Sequence, residues 1–268
     1  MSRIATTFAQ LAQKGERALV GFVTAGDPDA DRSLAIVRAM CAAGLDVLEL
    51  GVPFSDPTAD GPVIQRASAR ALAAGATLHR TLAMVAALRR ETEIPTIVFS
   101  YYNPVLAYGA QRFHLDAVAA GADGLLLVDL PPEESDELTA GWPPDGLALI
   151  RLTTPTTPIE RMRRIAAAAS GFIYHVSKLG VTGSDGLQVD TVAAKVRELR
   201  TVTHLPVCAG FGISTPADVA AVAAVCDGVV VGSAFERLIE ENLDRPELPE
   251  LVAARVAELK AATRTAAG

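Results

Sequence analysis

Residues 48–61 read Leu48-Glu49-Leu50-Gly51-Val52-Pro53-Phe54-Ser55-Asp56-Pro57-Thr58-Ala59-Asp60-Gly61. A short apolar strand delivers one carboxylate, Glu49, then breaks into a Pro- and Gly-punctuated loop carrying Asp56 and Asp60. A charge inside an apolar run is costly to bury, so Glu49 needs either a partner or a substrate. An acid on a rigid strand, set against an acid on a loop, can hold a proton donor and an acceptor across a small molecule.

Working outward, the run around Glu49 is one of eight: Ala18-Val23, Asp46-Leu50, Thr96-Ser100, Gly124-Asp129, Leu147-Leu152, Gly171-Ser177, Pro206-Ala209 and Gly228-Gly232. Most are near-continuous Val, Ile and Leu, the pattern of strands covered on both faces in a parallel sheet. Between them Ala30-Ala43, Thr77-Arg90, Gln111-Ala120, Pro158-Ala168, Thr191-Arg200 and Thr215-Val225 are long enough for crossover helices, while Pro132-Leu138 is a weak one. Asp27-Pro28, Thr157-Pro158 and Ser214-Thr215-Pro216 read as cap-then-proline helix starts. Eight such units predict a (β/α)8 TIM barrel filling residues 1–268 as a single catalytic domain. Additional helices are expected at Ser2-Lys14, Gly61-Ala74 and Leu248-Lys260, the first of them before strand 1 and placed to cover the barrel's bottom. An open doubly wound sheet is the rival, but it would leave two edge strands, and none of the eight runs is blunted by charge.

Composition narrows the function. With 24 basic and 31 acidic side chains the formal charge is −7, which argues against a nucleic-acid or anionic membrane partner. No opening run resembles a signal peptide, and no window reaches the ~20 apolar residues of a membrane span. Cys41, Cys208 and Cys226 are odd in number and lack metal-ligand spacing, so they read as reduced packing residues of a cytoplasmic protein.

In a barrel, active-site groups sit at the carboxyl ends of the strands. Those ends carry Phe22 to Asp27, Glu49 with its acidic loop, Tyr101-Tyr102-Asn103-Pro104, Asp129, Tyr174 with Lys178, Gly210-Phe211-Gly212, and Gly232-Ser233. Glycines in the last three turns, with Gly180 and Thr182-Gly183, expose backbone N–H groups that together form an anion cradle. Beside it Phe22, Ile64, Leu126, Phe211 and Ile213 would line a flat apolar slot, so the substrate is a planar body with a phosphorylated tail. Each piece has a plainer alternative. Glycine turns are common, Glu49 could be a structural acid, and Asp60-Gly61-Pro62 reads as a helix N-cap. Tyr174 could simply pack, and His175, of opposite strand parity, should face outward toward the helices.

End to end, the chain resembles the tryptophan synthase alpha subunit family. The likeness is carried by Leu48 through Pro57 with Ala59-Asp60-Gly61-Pro62, by Tyr102-Asn103-Pro104, Asp129-Leu130-Pro131 and Glu133-Glu134-Ser135, and by Gly171-Phe172-Ile173-Tyr174, Gly180-Val181-Thr182-Gly183, Gly210-Phe211-Gly212-Ile213-Ser214 and Gly232-Ser233-Ala234. The resemblance implies retro-aldol cleavage of indole-3-glycerol phosphate to indole and glyceraldehyde 3-phosphate. It implies Glu49 as general acid-base and Asp60 as partner of the indole N–H. Phe22, Ile64, Tyr102, Leu126, Tyr174, Thr182 and Phe211 would contact substrate, with Gly183, Gly212, Gly232 and Ser233 on the phosphate. It implies no metal or organic cofactor in this subunit, and a pyridoxal-phosphate beta subunit as partner in an alpha2-beta2 heterotetramer. The partner would meet the Pro53-Asp60 loop, the Asn103-Ala107 region and the segment around Pro131. Two positions depart from the family pattern: Thr58 where an aliphatic residue is usual, and Lys178 where arginine is frequent. Three rivals remain in view: a Schiff-base aldolase using Lys178, a scaffold with a decayed site, and a lyase acting without a partner.

Overall fold

The computed structural model describes residues 2–143, 146–177, 189–210 and 212–264. In chain order the elements are α1 (Arg3–Gln13), β1 (Ala18–Thr24), α2 (Ala30–Ala42), β2 (Val47–Gly51), α3 (Pro62–Ala73), α4 (Leu78–Arg89), β3 (Thr96–Ser100), α5 (Tyr102–Tyr108), α6 (Ala110–Ala120) and β4 (Gly124–Leu127). There follow α7 (Ser135–Thr139), β5 (Ala148–Thr153), α8 (Ile159–Ala167), β6 (Ile173–Val176), α9 (Val189–Arg200), β7 (Val207–Gly210), α10 (Pro216–Ala223), β8 (Gly228–Val231), α11 (Ser233–Glu240) and α12 (Leu248–Ala261). The eight strands pair in sequence order, all parallel, and β8 closes onto β1. This is the (β/α)8 barrel the apolar runs predict, with α1 ahead of the first strand.

Strand parity divides the core in two. Val20, Val47, Ile97, Leu126, Ile150, Phe172, Cys208 and Val230 fill the barrel interior, and Ile4, Phe8 and Leu11 of α1 pack against them from below. Phe8 and Phe172 meet with ring centroids 5.9 Å apart, so α1 does plug the bottom. The opposite parity, with Leu19, Leu48, Leu50, Ile173 and Val229, packs outward against the helices. Burying both faces of each strand is what makes the runs continuously apolar.

Some helix starts differ from the expected ones. Asp29 rather than Asp27 caps α2, accepting the Arg32 N–H at 2.9 Å. Pro158 rather than Thr157 precedes α8, and Thr157 instead accepts the Thr154 N–H at 2.9 Å. Thr215 does cap α10, in a reciprocal capping box with Asp218. The weak segment after β4 is a single 3-10 turn, Pro132–Glu134, followed by the one-turn helix α7. Among the described residues no single helix is long and apolar enough to cross a membrane.

Candidate active site

At the carboxyl end the barrel opens into a cavity of about 310 Å³. Phe22, Glu49, Asp60, Ile64, Tyr174, Gly212, Gly232 and Ser233, all anticipated from the sequence, line it together. Parity explains how they meet. The register sets Phe22 beside Glu49 and Glu49 beside Ile97, so Glu49 stands on the inward face where an apolar residue would otherwise sit. Phe22 stacks edge-on against Phe99 at 5.0 Å to form an aromatic wall. Gly51 permits that wall, since a Cβ there would come within 2.6 Å of the Phe22 ring. Thr182, Gly183 and Phe211, with Lys178 and Gly180, lie outside the described residues.

Two expected substrate contacts are placed elsewhere. Leu126 has the right parity but the wrong depth: it is fully buried in the interior layer, and Val128 reaches the cavity instead. Tyr102 opens α5 and packs outward among Val98, Phe113 and Leu125. Its neighbour Tyr101 continues the inward parity of Ile97 and Phe99 and leans over the mouth. The Tyr101 hydroxyl donates to Asp60 Oδ2 at 3.0 Å and accepts the Ala59 N–H at 2.9 Å. Alternation along β3 was the available signal for Tyr101.

The two acids occupy opposite environments. Glu49 is 1% exposed, and neither carboxyl oxygen has a hydrogen-bond partner. Burial alone pushes its carboxyl up to about 8, so it holds its proton at neutral pH. Asp60 is pushed up by burial only to about 6, because the Tyr101 hydroxyl favours its charged form. At pH 7 one group is an acid and the other an anion, the arrangement by which paired carboxyls take separate roles. Asp60 is also free for that role: the N-cap of α3 is Gly61, with no side-chain cap, so the expected Asp60 cap is not formed. Burial and the nearby Glu49 hold the Tyr174 phenol well above its ordinary range, so it remains a neutral hydroxyl.

The same cavity is also lined by groups that can receive an anion. Gly212 has φ +72°, a left-handed conformation that glycine adopts without strain. Gly232 and Ser233 begin α11, whose first N–H groups have no partner within the helix and whose dipole favours negative charge. Sequence reading missed Arg237, an exposed guanidinium that also lines the cavity. It stands four residues after Ser233, so helical spacing puts both on one face.

The remaining polar groups have other tasks. His175 is fully buried with Nδ1 3.1 Å from Thr153 Oγ1, and burial lowers it to about 4. It is not among the cavity-lining residues, as its outward parity predicts. Asp129 accepts the Tyr102 N–H at 2.7 Å, and Asp56 pairs with the Ser55 hydroxyl at 2.5 Å. All three cysteines are free. Among the described residues no cluster of three His, Cys, Asp or Glu side chains could hold a metal.

An acid and an anion lining one apolar cup, at the mouth of a closed eight-stranded parallel barrel, define a (β/α)8 enzyme site. The family model described as tryptophan synthase alpha chain matches residues 8–265. The chain is 61% identical over 264 residues to the tryptophan synthase alpha chain of Desulfatibacillum aliphaticivorans, covering 98% of this chain and 100% of that one. The corresponding protein of Desulfosudis oleivorans is 59% identical, with the same coverage. Among solved structures, tryptophan synthase subunit alpha from Legionella pneumophila superposes with a TM-score of 0.90 at 39% identity, covering 98% of each chain. Tryptophan synthase from M. tuberculosis in its aminoacrylate-bound form gives 0.88 at 33%, covering 98% of this chain and 100% of that one. The chain belongs to the tryptophan synthase alpha chain family, and with it to the lyases of aromatic amino-acid biosynthesis.

Proposed function

We propose that the protein cleaves indole-3-glycerol phosphate to indole and glyceraldehyde 3-phosphate. The observation that carries this reading is Glu49: a buried, unpartnered, protonated carboxyl aimed into a cavity that also holds an ionised acid. The apolar half of the cup takes the indole ring, and the Gly212, Gly232 and Ser233 side takes the phosphate, with Gly183 completing that grip.

In this reading Glu49 delivers its proton to C3 of the ring, and positive charge spreads to the ring nitrogen. Ionised Asp60 accepts the ring N–H hydrogen bond and stabilises that cation. The glycerol hydroxyl on the carbon attached to C3 then gives its proton to the Glu49 carboxylate. The C3–carbon bond breaks with its electron pair returning to the ring, leaving indole and an aldehyde. Glu49 ends protonated, as it began. Tyr174 lines the reacting end, and Thr182 and Phe211 are further substrate contacts in this reading. Acid-base help of this kind is worth ~10²–10⁴-fold in rate.

The partner is a pyridoxal-phosphate beta subunit that consumes the indole, in an alpha2-beta2 assembly. Leu106 on α5 is 49% exposed, and Leu115 and Val118 on α6 are 58% and 45% exposed. They place apolar surface near the Asn103-Ala107 region, where a partner would shield it. The test is indole release from indole-3-glycerol phosphate, measured with and without an added beta subunit. Release that rises with the beta subunit supports both parts; no release in either condition removes the activity, and high unstimulated release removes the partnership.

A further inference from the structure

Behind the phosphate side of the cavity, three carboxyls and two guanidiniums meet where β1, α3 and α11 converge. Arg70 on α3 donates Nε and Nη2 to the two oxygens of Asp27, at 2.9 and 2.8 Å, and Nη1 to Glu240 at 2.8 Å. Arg66 forks onto Glu240 with two bonds of 2.7 Å. Glu236, on the first turn of α11, is fully buried, and Oε1 accepts the Thr24 N–H at 2.5 Å. Its Oε2 receives no donor, and the charge that faces it is Asp27, itself 1% exposed. Arg32 on α2 is engaged by the carbonyls of Leu243 and Arg245. Two cations against three carboxyls are neutral only when one proton is retained. Glu236, the one acid without a cation, is where that proton sits.

We propose that Glu236 is a positioning residue: as a protonated acid between Thr24 and Asp27, it fixes the first turn of α11 against β1 and so holds the phosphate-side wall in place. Three residues earlier on the same turn stands Ser233, and two residues before Thr24 stands Phe22, both lining the cavity. Arg70 extends the tie to α3, which begins two residues after Asp60. Losing the proton would set a second negative charge beside Asp27 with no cation to meet it, and the turn would be driven off β1. Burial and Asp27 push Glu236 up to about 8, so the loss falls on the alkaline side.

The inference rests on the phosphate reading of Gly232 and Ser233, and the experiment separates the two. Binding of glycerol 3-phosphate is titrated calorimetrically at pH 7, 8 and 9 in a Glu49→Gln background, which removes the other acid that titrates near 8. Affinity is expected to fall about tenfold from pH 7 to 9, as follows when only the protonated form is competent. Adding Glu236→Gln should leave affinity at pH 7 within about twofold and abolish the fall, since an amide keeps its acceptor without ionising. An equal fall with and without Glu236→Gln, or no fall in either, overturns the proposal. Should that variant not fold, Asp27→Asn removes the facing charge but not the burial, so the fall should shift to a different pH; a fall at the same pH as with Asp27 present overturns the proposal equally. Absence of binding at pH 7 in the Glu49→Gln protein overturns the phosphate reading, and the inference with it.

Discussion

The two ends of the barrel use acids in opposite ways. At the amino end, Asp46, Asp123 and Asp227 each precede an even-numbered strand and accept an N–H from the strand before it: Leu19 at 2.7 Å, Thr96 at 2.9 Å and Val207 at 2.9 Å. Ser170 does the same before β6, for Leu149 at 2.8 Å. Each acid there also has a cation: Lys260 for Asp46 at 2.8 Å, Arg89 for Asp123 at 2.7 Å and Arg200 for Asp227 at 3.1 Å. At the carboxyl end, Glu49 has no partner and Asp60 has only a tyrosine hydroxyl. The amino-end acids tie neighbouring strands together, whereas Glu49 and Asp60, which line the cavity, carry no cation among the described residues.

The largest effect should come from cutting into the unsatisfied end. Glu49→Gln is expected to lower kcat about 10³-fold while leaving the binding of a phosphorylated indole analogue within a few-fold. The same change should make the protein more stable at pH 8. A carboxyl held near 8 when folded and near 4.5 when unfolded imposes no cost below pH 4.5. Its cost grows as pH rises toward 8, reaching at most about 4 kcal/mol there. Urea denaturation at pH 5 and 8 reads that slope, which Gln should flatten. A stability loss at pH 8 would mean Glu49 belongs with the structural acids.

The amino end should respond the other way round. Asp123 is nearly buried, and its removal strands Arg89 and the Thr96 N–H. Asp123→Ala should cost about 3 kcal/mol, measured by urea denaturation, with turnover per folded molecule unchanged. Asp123→Asn, which keeps an acceptor for Thr96, should recover part of the loss. A turnover defect larger than the stability defect would break the division between the two ends.

That division was legible from sequence on one side only. Glu49 stands out because a carboxylate in Leu-Glu-Leu contradicts its own run, and the strands stand out because burial on both faces leaves them uniformly apolar. The amino-end acids give no such signal, since Asp46 meets Lys260 from far along the chain, and Asp123 meets Arg3 only through the closed barrel. The same holds for Glu236, whose hydrogen-bond partner, the Thr24 N–H, lies 212 residues away along the chain. The resemblance rests on Tyr102-Asn103-Pro104 and so points to Tyr102, whereas parity along β3 points to Tyr101. Leu126 shows the converse limit: parity gives the face, but depth along a tilted strand needs the barrel.

The smallest effect probes the one partner that the open end does have. Tyr101 donates to Asp60 and holds the Ala59 N–H, with its ring 5.2 Å from Phe54. Its hydroxyl favours the charged form of Asp60 and so opposes the upward push of burial. Wild type should therefore show a bell in kcat/KM, with an acid limb near 6 as Asp60 ionises and an alkaline limb near 8, where Glu49 and Glu236 both lose their protons. Tyr101→Phe removes the donor, so Asp60 titrates higher and the acid limb moves upward, toward the alkaline one. Activity at pH 6.5 should fall roughly three- to tenfold, the loss shrinking by pH 8 as Asp60 ionises again. A loss equal at every pH would assign Tyr101 to holding the Ala59 loop alone. An acid limb moving downward would mean that Asp60 works in its protonated form, and the roles of the two carboxyls would have to be exchanged.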